Sequence, residues 1–464
     1  MSHVQKPFVT GTTQESALRP IYRPEKRLAA PQPVQRGSDR SFFKDSDQSL
    51  RLAPWPAVSQ PTPQQLRVKP GRQFPFLARH PWVHAHALIS DGNRFSDGGN
   101  LERGDIVELV DMDGNFLGRG LVNPHSRLRV RLYTYESTTP INDALWIERI
   151  DAAIGRRRLS RAAETDEAER LIFSESDLIS GLIVDRYADC LGVQFTAGAL
   201  MKWRQPILDH LQQVTQCRQI VVRVDEKTAK YEGLDPESGT LAIAGVDLSE
   251  PVPYRQNGLD LTVDLVGGQK TGGYLDQRLN HEAAAGYLRG KRVLDVCCYT
   301  GGFGLVAARQ GAENVVGIDS SASAIAAATE SAQRNGVSDR MSFLQEDCFD
   351  ALKRLGDEGQ TFDAVVLDPP RFAGSRHQVD QALRAYRRLN SLAVDLLPPG
   401  GILVTCSCSG RVSRSEFLNM LVDVGRRQRR DIIVLENRGP APDHPLAVGC
   451  PESDYLKCVI AQVV

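Results

Sequence analysis

The spacing of apolar and polar positions changes character three times along the chain. Residues 1 to about 65 show neither a helical nor a strand period. From 66 to 135, short apolar runs are broken by the turn signals Asp91-Gly92-Asn93, Asp97-Gly98-Gly99 and Asp113-Gly114-Asn115. There GDIVELVDMDGNFLGRGLVNP reads as two strands joined by an Asp-Gly turn. Segment 141–250 mixes a helix over about 142–163 with the strands GLIVDRY, LGVQF and QIVVRV and a helix near 204–215. Beyond about 255 the pattern becomes strand–helix alternation. KRVLDV, NVVGID, MSFLQED, FDAVVLD and GILVTCS are short buried strands, separated by helical stretches such as SAIAAATESAQRNG and QALRAYRRLNSLAVDLL. That alternation predicts a doubly wound α/β sheet, preceded by a small β-barrel and a central α+β segment. The boundaries this suggests are a disordered tail over 1–65, a barrel over 66–138, the central segment over 139–252 and the doubly wound domain over 253–464.

Composition sharpens two points. The first 65 residues hold nine of the 26 prolines and little apolar surface, so burial there cannot offset ordering entropy. The whole chain has 464 residues, 41% hydrophobic, with a net charge of -1, so any basic surface has to be local. No apolar run nears the roughly 18 residues a membrane span requires, and the first residues lack the apolar stretch of a secretory signal. The odd count of nine cysteines in a large chain argues against a disulfide scaffold, and the lack of a C-x-x-C pair argues against a structural zinc site. A cytoplasmic, multidomain enzyme with no metal and no membrane partner is the expectation. A homodimer is left open.

Candidate chemistry gathers at the carboxyl ends of the strands, where such sheets bind ligands. Asp295-Val-Cys-Cys-Tyr299-Thr300-Gly301-Gly302-Phe303-Gly304 is a glycine turn into a helix. Asp319, with Ser320 after it, ends the next strand and suits ribose hydroxyls. Glu346-Asp347-Cys348 ends the third and suits an adenine amine. Gly302-x-Gly304-x-x-Ala307 also fits a dinucleotide fingerprint, with Ala at its third position. Against a dehydrogenase, Asp295 would repel a pyrophosphate, and a third acidic strand end followed by D-P-P is not a nicotinamide feature. S-adenosylmethionine has no phosphate to repel, and its amine, ribose and adenine suit acids. Any one of these acids can instead cap the following helix, but three in register fit that account poorly. Arg127, Arg129 and Arg131 alternate along a strand, which would place all three on one basic face. The runs Arg156–Arg158 and Arg426–Arg430 are read as solvated helix faces.

With those residues in view, the chain resembles a known family. K-R-V-L-D-V-C-C-Y-T-G-G-F-G, D-P-P-R-F and C-S-C-S-G look like the motifs of class I S-adenosylmethionine-dependent RNA methyltransferases. More narrowly, they resemble the bacterial 23S rRNA cytosine-C5 methyltransferases. Gly268-Gln-Lys270-Thr271-Gly-Gly-Tyr274-Leu-Asp276-Gln277-Arg278 resembles that family's segment before the first core strand. Arg79-His80-Pro81-Trp82-Val83 and Gly104-Asp105 resemble its RNA-binding PUA barrel. The resemblance spans about 66–464 and leaves out the tail. It implies a Rossmann-like methyltransferase domain behind a PUA barrel and a central domain, with ribosomal RNA as partner. It also implies that Lys270, Thr271, Tyr274, Asp276 and Arg278 line the cofactor or RNA side.

Cytosine C5 is not nucleophilic. A thiolate that adds to C6 turns the ring into an enamine able to attack the cofactor's methyl group. Asp368 and Cys408 end neighbouring strands and reach one crevice. Pro369-Pro370 stiffens the loop, Asp368 can hold the N3 and N4 edge of a flipped cytosine, and Phe372 can stack on it. Spacing does not choose between Cys406 and Cys408. The resemblance assigns Cys408 as nucleophile and leaves Cys406 to packing. Arg371 and Arg376 are the candidates for substrate phosphates. The base that takes the C5 proton is unassigned. Two alternatives stand: an exocyclic-amine RNA methyltransferase, which D-P-P-R-F also suits and which needs no cysteine, and an RNA-binding protein with an inactive methyltransferase domain.

Overall fold

The computed structural model describes residues 63–91, 94–95, 101–159, 166–234, 241–243, 250–268, 271–373 and 376–464. Lys270, residues 1–62 and the turns centred on Gly92 and Gly98 lie outside the described residues.

The strands expected at 105–122 form an antiparallel hairpin, Ile106–Val110 with Phe116–Val122. Its turn is held by Asp111, whose Oδ1 accepts the backbone N–H groups of Asp113 and Asn115 at 2.9 and 2.8 Å, with Gly114 at φ +85°. Leu128–Thr134, Trp82–His84 and Gln64–Arg67 complete a five-stranded sheet. The sheet curls closed, since Ile89 N donates to Arg67 O and Lys69 N to Ala87 O, both at 2.9 Å. A second five-stranded sheet runs from Ala168–Phe173 to Leu241–Ile243, covered by helices Asp143–Leu159 and Arg204–Thr215. Leu121 and Tyr133 of the first sheet share a buried cluster with Phe195 of the second and with Trp146 of the helix that covers it. Asn123 Nδ2 and Ser126 Oγ also donate to buried Glu232, at 2.8 and 2.9 Å.

The expected α/β sheet has seven strands: β1 (Arg292–Val296), β2 (Asn314–Asp319), β3 (Met341–Gln345), β4 (Ala364–Leu367), β5 (Gly401–Ser407), β6 (Ile432–Arg438) and β7 (Lys457–Val463). Their order is β3-β2-β1-β4-β5-β7-β6. The first five are parallel, and β7 lies antiparallel between β5 and β6. Six helices accompany them: α1 (Arg278–Leu288), α2 (Gly302–Arg309), α3 (Ala322–Arg334), α4 (Cys348–Asp357), α5 (Val379–Asp395) and α6 (Arg414–Gln428). Alternate residues enter opposite layers. Leu294, Val365, Leu367 and Leu403 pack on one face, and Val293, Ala364, Val366 and Val404 on the other. Burial on both faces is why these strands read as continuous apolar runs and not as alternating ones. Helix starts are set by local capping. Ser321 caps α3, and Ser413 with Glu416 forms a capping box on α6. Helix α6 separates β5 from β6, but no α-helix among the described residues separates β6 from β7, so the strand–helix rhythm alone does not reveal β7.

Candidate active site

Strand order reverses direction between β1 and β4, so a crevice opens there beyond the carboxyl ends. Asp295, near the end of β1, is 1% exposed. Its Oδ2 accepts the Gly304 N–H at 2.8 Å, and its Oδ1 has no hydrogen-bond partner among the described residues. Burial pushes its carboxyl up to about 7, and the nearby Asp368 and Asp319 charges add to this. The turn that follows is bent sharply, with Cys297, Tyr299 and Gly301 at φ +59°, +49° and +87°. Two of these positions are not glycine, a costly backbone that the surroundings must hold in place. Asp319 holds it: one oxygen accepts Tyr299 N and the other Ser321 N, each at 2.9 Å. Gly302 is required by close approach, because a Cβ there would stand 2.5 Å from the His281 ring, which is itself packed edge-on against Phe303.

The remaining candidates divide. Tyr274 reaches this turn and packs edge-on against Tyr299 at 5.3 Å. Burial raises its phenol, and the charges of Tyr299, Cys408 and Asp368 raise it further, which puts those groups around one ring. Thr300 is half-exposed and Ser320 exposed. Asp276 is buried, and its Oδ2 accepts the Tyr455 hydroxyl at 2.5 Å. Thr271 is fully buried and donates to Asp185, away from the crevice. Arg278 pairs with buried Asp443, which also accepts Arg170 N at 2.8 Å and contacts His444 Nδ1 at 2.9 Å. Asp443 therefore ties Arg278 to the strand Ala168–Phe173 of the second sheet. Asp347 is exposed and caps α4, accepting Phe349 N and Asp350 N, so for this acid the capping account holds. Cys348 lies beside Cys297: its thiol is held down by a hydrogen bond with Cys297, whose own thiol that bond raises.

On the other side of the crevice, Asp368 N donates to Val296 O at 3.2 Å, which joins the D-P-P loop to β1. Cys408 lies just past β5, half-buried, its Sγ 3.9 Å from Pro369 O. Cys406 is 0% exposed, inside β5 and opposite Cys458. Burial and Cys458 drive its thiol well above the usual range. Pro369 is buried and Pro370 exposed. Phe372 packs on Tyr386 at 4.8 Å, and Arg371 Nε donates to Ala373 O at 2.6 Å. Arg376 opens a short 3-10 turn, Arg376–Gln378.

The three-arginine face is corrected. Arg127 is exposed, but Arg129 folds back on the carbonyls of Asn123 and Pro124. Arg131 is 9% exposed and bonded to Glu175, Ser180 and Thr196 O. The strand pattern is local, and the central segment covers this end of the strand. Arg157, expected in solvent, is likewise buried on Asp177.

Sequence reasoning missed Tyr386, His281 and Lys457. Tyr386 OH accepts from Ser407 Oγ at 2.9 Å and contacts Ser409 Oγ at 3.0 Å, clamping both neighbours of Cys408. Elsewhere, His80, Cys450 and Glu452 cluster. Trp82 N donates to His80 Nδ1, so Nε2 carries the proton and donates to Glu452 at 3.2 Å, which makes this a hydrogen-bonded pair. That bond pulls Glu452 down to about 2.

The sheet order, the glycine turn and the acids beyond β1 and β2 define an S-adenosylmethionine-dependent methyltransferase. The donor set fits that cofactor: among the described residues Asp295 keeps a buried oxygen without a partner, and each Asp319 oxygen accepts one N–H and retains a lone pair. Residues 207–449 match a family of S-adenosylmethionine-dependent methyltransferases, and residues 66–135 match the PUA-like domain. Ribosomal RNA large subunit methyltransferase I of Shewanella denitrificans is 39% identical over 86% of this chain and 99% of its own length. The protein of that name from Photobacterium profundum is 37% identical over 83% and 96%. The chain belongs to this family of S-adenosylmethionine-dependent methyltransferases. Among solved structures, a chain from Streptococcus mutans described as a SAM-dependent methyltransferase superposes with TM-score 0.73 at 19% identity, covering 86% of this chain and all of its own. SMU.776 complexed with SAH superposes at 0.74 with the same coverage and 19% identity. At that identity both show the fold.

Proposed function

We propose that the protein methylates cytosine C5 in large-subunit ribosomal RNA, in the cytoplasm, with Cys408 as the attacking thiol. One observation carries the reading: Cys408 Sγ lies 3.9 Å from the carbonyl of Pro369, so the thiol past β5 faces the loop that begins at Asp368. The names of the relatives support ribosomal RNA as the substrate class. The cofactor supplies an electrophilic methyl group. This chain's residues do the rest. The Cys408 thiolate adds to C6, C5 takes the methyl group, and loss of the C5 proton to a base breaks the sulfur–C6 bond and returns the thiolate. Asp368 engages the N3 and N4 edge of the extruded base. The Tyr386 clamp keeps the cysteine's backbone from shifting as the bond forms. Arg127 and Arg371, both exposed, are the arginines for RNA phosphates. Arg131 is structural. We further propose that the barrel, the central segment and the methyltransferase sheet divide near residues 138 and 252.

RNA carrying 5-fluorocytosine at the target tests this, because the enzyme cannot remove the C5 substituent and stays attached. Cys408→Ala should abolish both adduct and turnover, while Cys406→Ala keeps both. An adduct that persists in Cys408→Ala, or a methyl group found on an exocyclic amine, refutes the assignment and selects the amine-methylating reading.

A further inference from the structure

Lys457 opens β7, directly opposite Ser407 in the β5–β7 ladder. It is 1% exposed, which is rare for a lysine. Its Nζ donates to Ser409 O at 2.8 Å and to Tyr455 O at 2.9 Å. Those partners are carbonyls. No carboxylate lies within ion-pair distance of Nζ among the described residues. A buried ammonium satisfied by neutral oxygens keeps a net charge that a close anion would complete. Cys408 stands between Ser407 and Ser409, the two residues that Lys457 and Tyr386 already fix.

We propose that Lys457 is a positioning residue for Cys408: its ammonium fixes the carbonyl of Ser409 and supplies the positive field that holds the Cys408 sulfur as thiolate. The thiol proton leaves to solvent, and the lysine keeps its own. The groups around the pair are consistent in sign. Asp454 and Glu416 favour the ammonium, as does the Cys408 anion, while Arg414 opposes it. Burial pulls Lys457 down to about 8, so the charge is present around neutral pH and lost in alkali. Around the sulfur, Tyr274, Tyr386 and Tyr455 are all raised and stay neutral, and Asp368 opposes the thiolate. Opposition from Asp368 is the reason a cation is needed on the far side of the loop.

This inference rests on the reading of Cys408 as nucleophile, and its test separates the two. The full chain is alkylated with iodoacetamide across pH, and modification of Cys408 is followed by peptide mass spectrometry. Wild-type Cys408 should titrate below the roughly 8.5 of an ordinary thiol. Lys457→Gln keeps a donor for one carbonyl and removes the charge. It should slow alkylation near neutral pH by about tenfold or more, the effect of one pKa unit. Lys457→Arg should restore the wild-type profile. Cofactor binding by calorimetry reports whether each variant is folded. A wild-type thiol that titrates at or above the ordinary value overturns the proposal even if no variant folds. So does an unchanged profile in folded Lys457→Gln. A depressed, lysine-dependent titration without a 5-fluorocytosine adduct supports the proposal while removing the nucleophile reading. An adduct with an ordinary thiol removes the proposal alone.

Discussion

Replacing Asp295 by Asn should stabilise the cofactor-free protein in alkali and destabilise it in acid. The folded carboxyl titrates at about 7 against an ordinary 3.8, mainly because it is buried. Below the unfolded value both states are protonated, and folding carries no charge cost. As pH rises towards the folded value, the unfolded chain has lost its proton and the folded one has kept it. Stability therefore falls across that window and is lowest above it. The difference corresponds to on the order of 4 kcal/mol at full ionisation. Asn keeps an oxygen for the Gly304 N–H but puts an amide where Oδ1 now lies buried without a partner among the described residues, a cost of roughly 1–3 kcal/mol. The variant should thus be about 1–3 kcal/mol more stable than wild type above neutral pH, and less stable by a similar amount near about pH 4. Thermal melting of the cofactor-free full chain should show the two curves crossing between those limits, with displacements of a few degrees on either side. A difference that is independent of pH, or a wild type that gains on the variant in alkali, refutes the account of a desolvated acid. The same change removes an acid from the crevice, so cofactor affinity should fall as stability rises.

Two further expectations concern the crevice and the barrel. Asp319→Ala frees both Tyr299 N and Ser321 N, so the cofactor turn loses its brace, and binding measured by calorimetry should weaken by about 1–3 kcal/mol; unchanged affinity would place the cofactor elsewhere. Arg131→Ala should cost about 3–5 kcal/mol of stability by leaving Glu175 buried without its cation, whereas exposed Arg127→Ala should leave the melting temperature unmoved and weaken RNA binding. Burial pushes Glu175 up, and Arg131 with its hydroxyl and indole donors outweighs this, holding it below the usual range. The full effect should therefore appear at neutral pH and shrink in acid, as Glu175 protonates in both states.

Local pattern determined a good part of this protein. The runs from KRVLDV to GILVTCS became β1 to β5 because a doubly covered strand needs apolar residues on both faces, and that requirement is visible residue by residue. The glycine turn after Asp295 and the acid ending β2 were legible for the same reason, since tight turns and strand ends depend on neighbours in the chain. The neighbours supplied by distant segments were not legible. A period of two put Arg127, Arg129 and Arg131 on one face, but only the packing of the central segment decided that Arg131 would meet Glu175 and not solvent. Cys406 and Cys408 differ by two positions and share a residue type. Tertiary structure separated them by ending β5 between them, with one thiol sealed against Cys458 and the other beyond the sheet beside the D-P-P loop. Lys457 lies 49 residues after Cys408 in the sequence, and no periodicity links them. The antiparallel register of β7 against β5 sets Lys457 opposite Ser407 and brings its ammonium to the Ser409 carbonyl, because ladder hydrogen bonds fix which distant residues stand opposite each other.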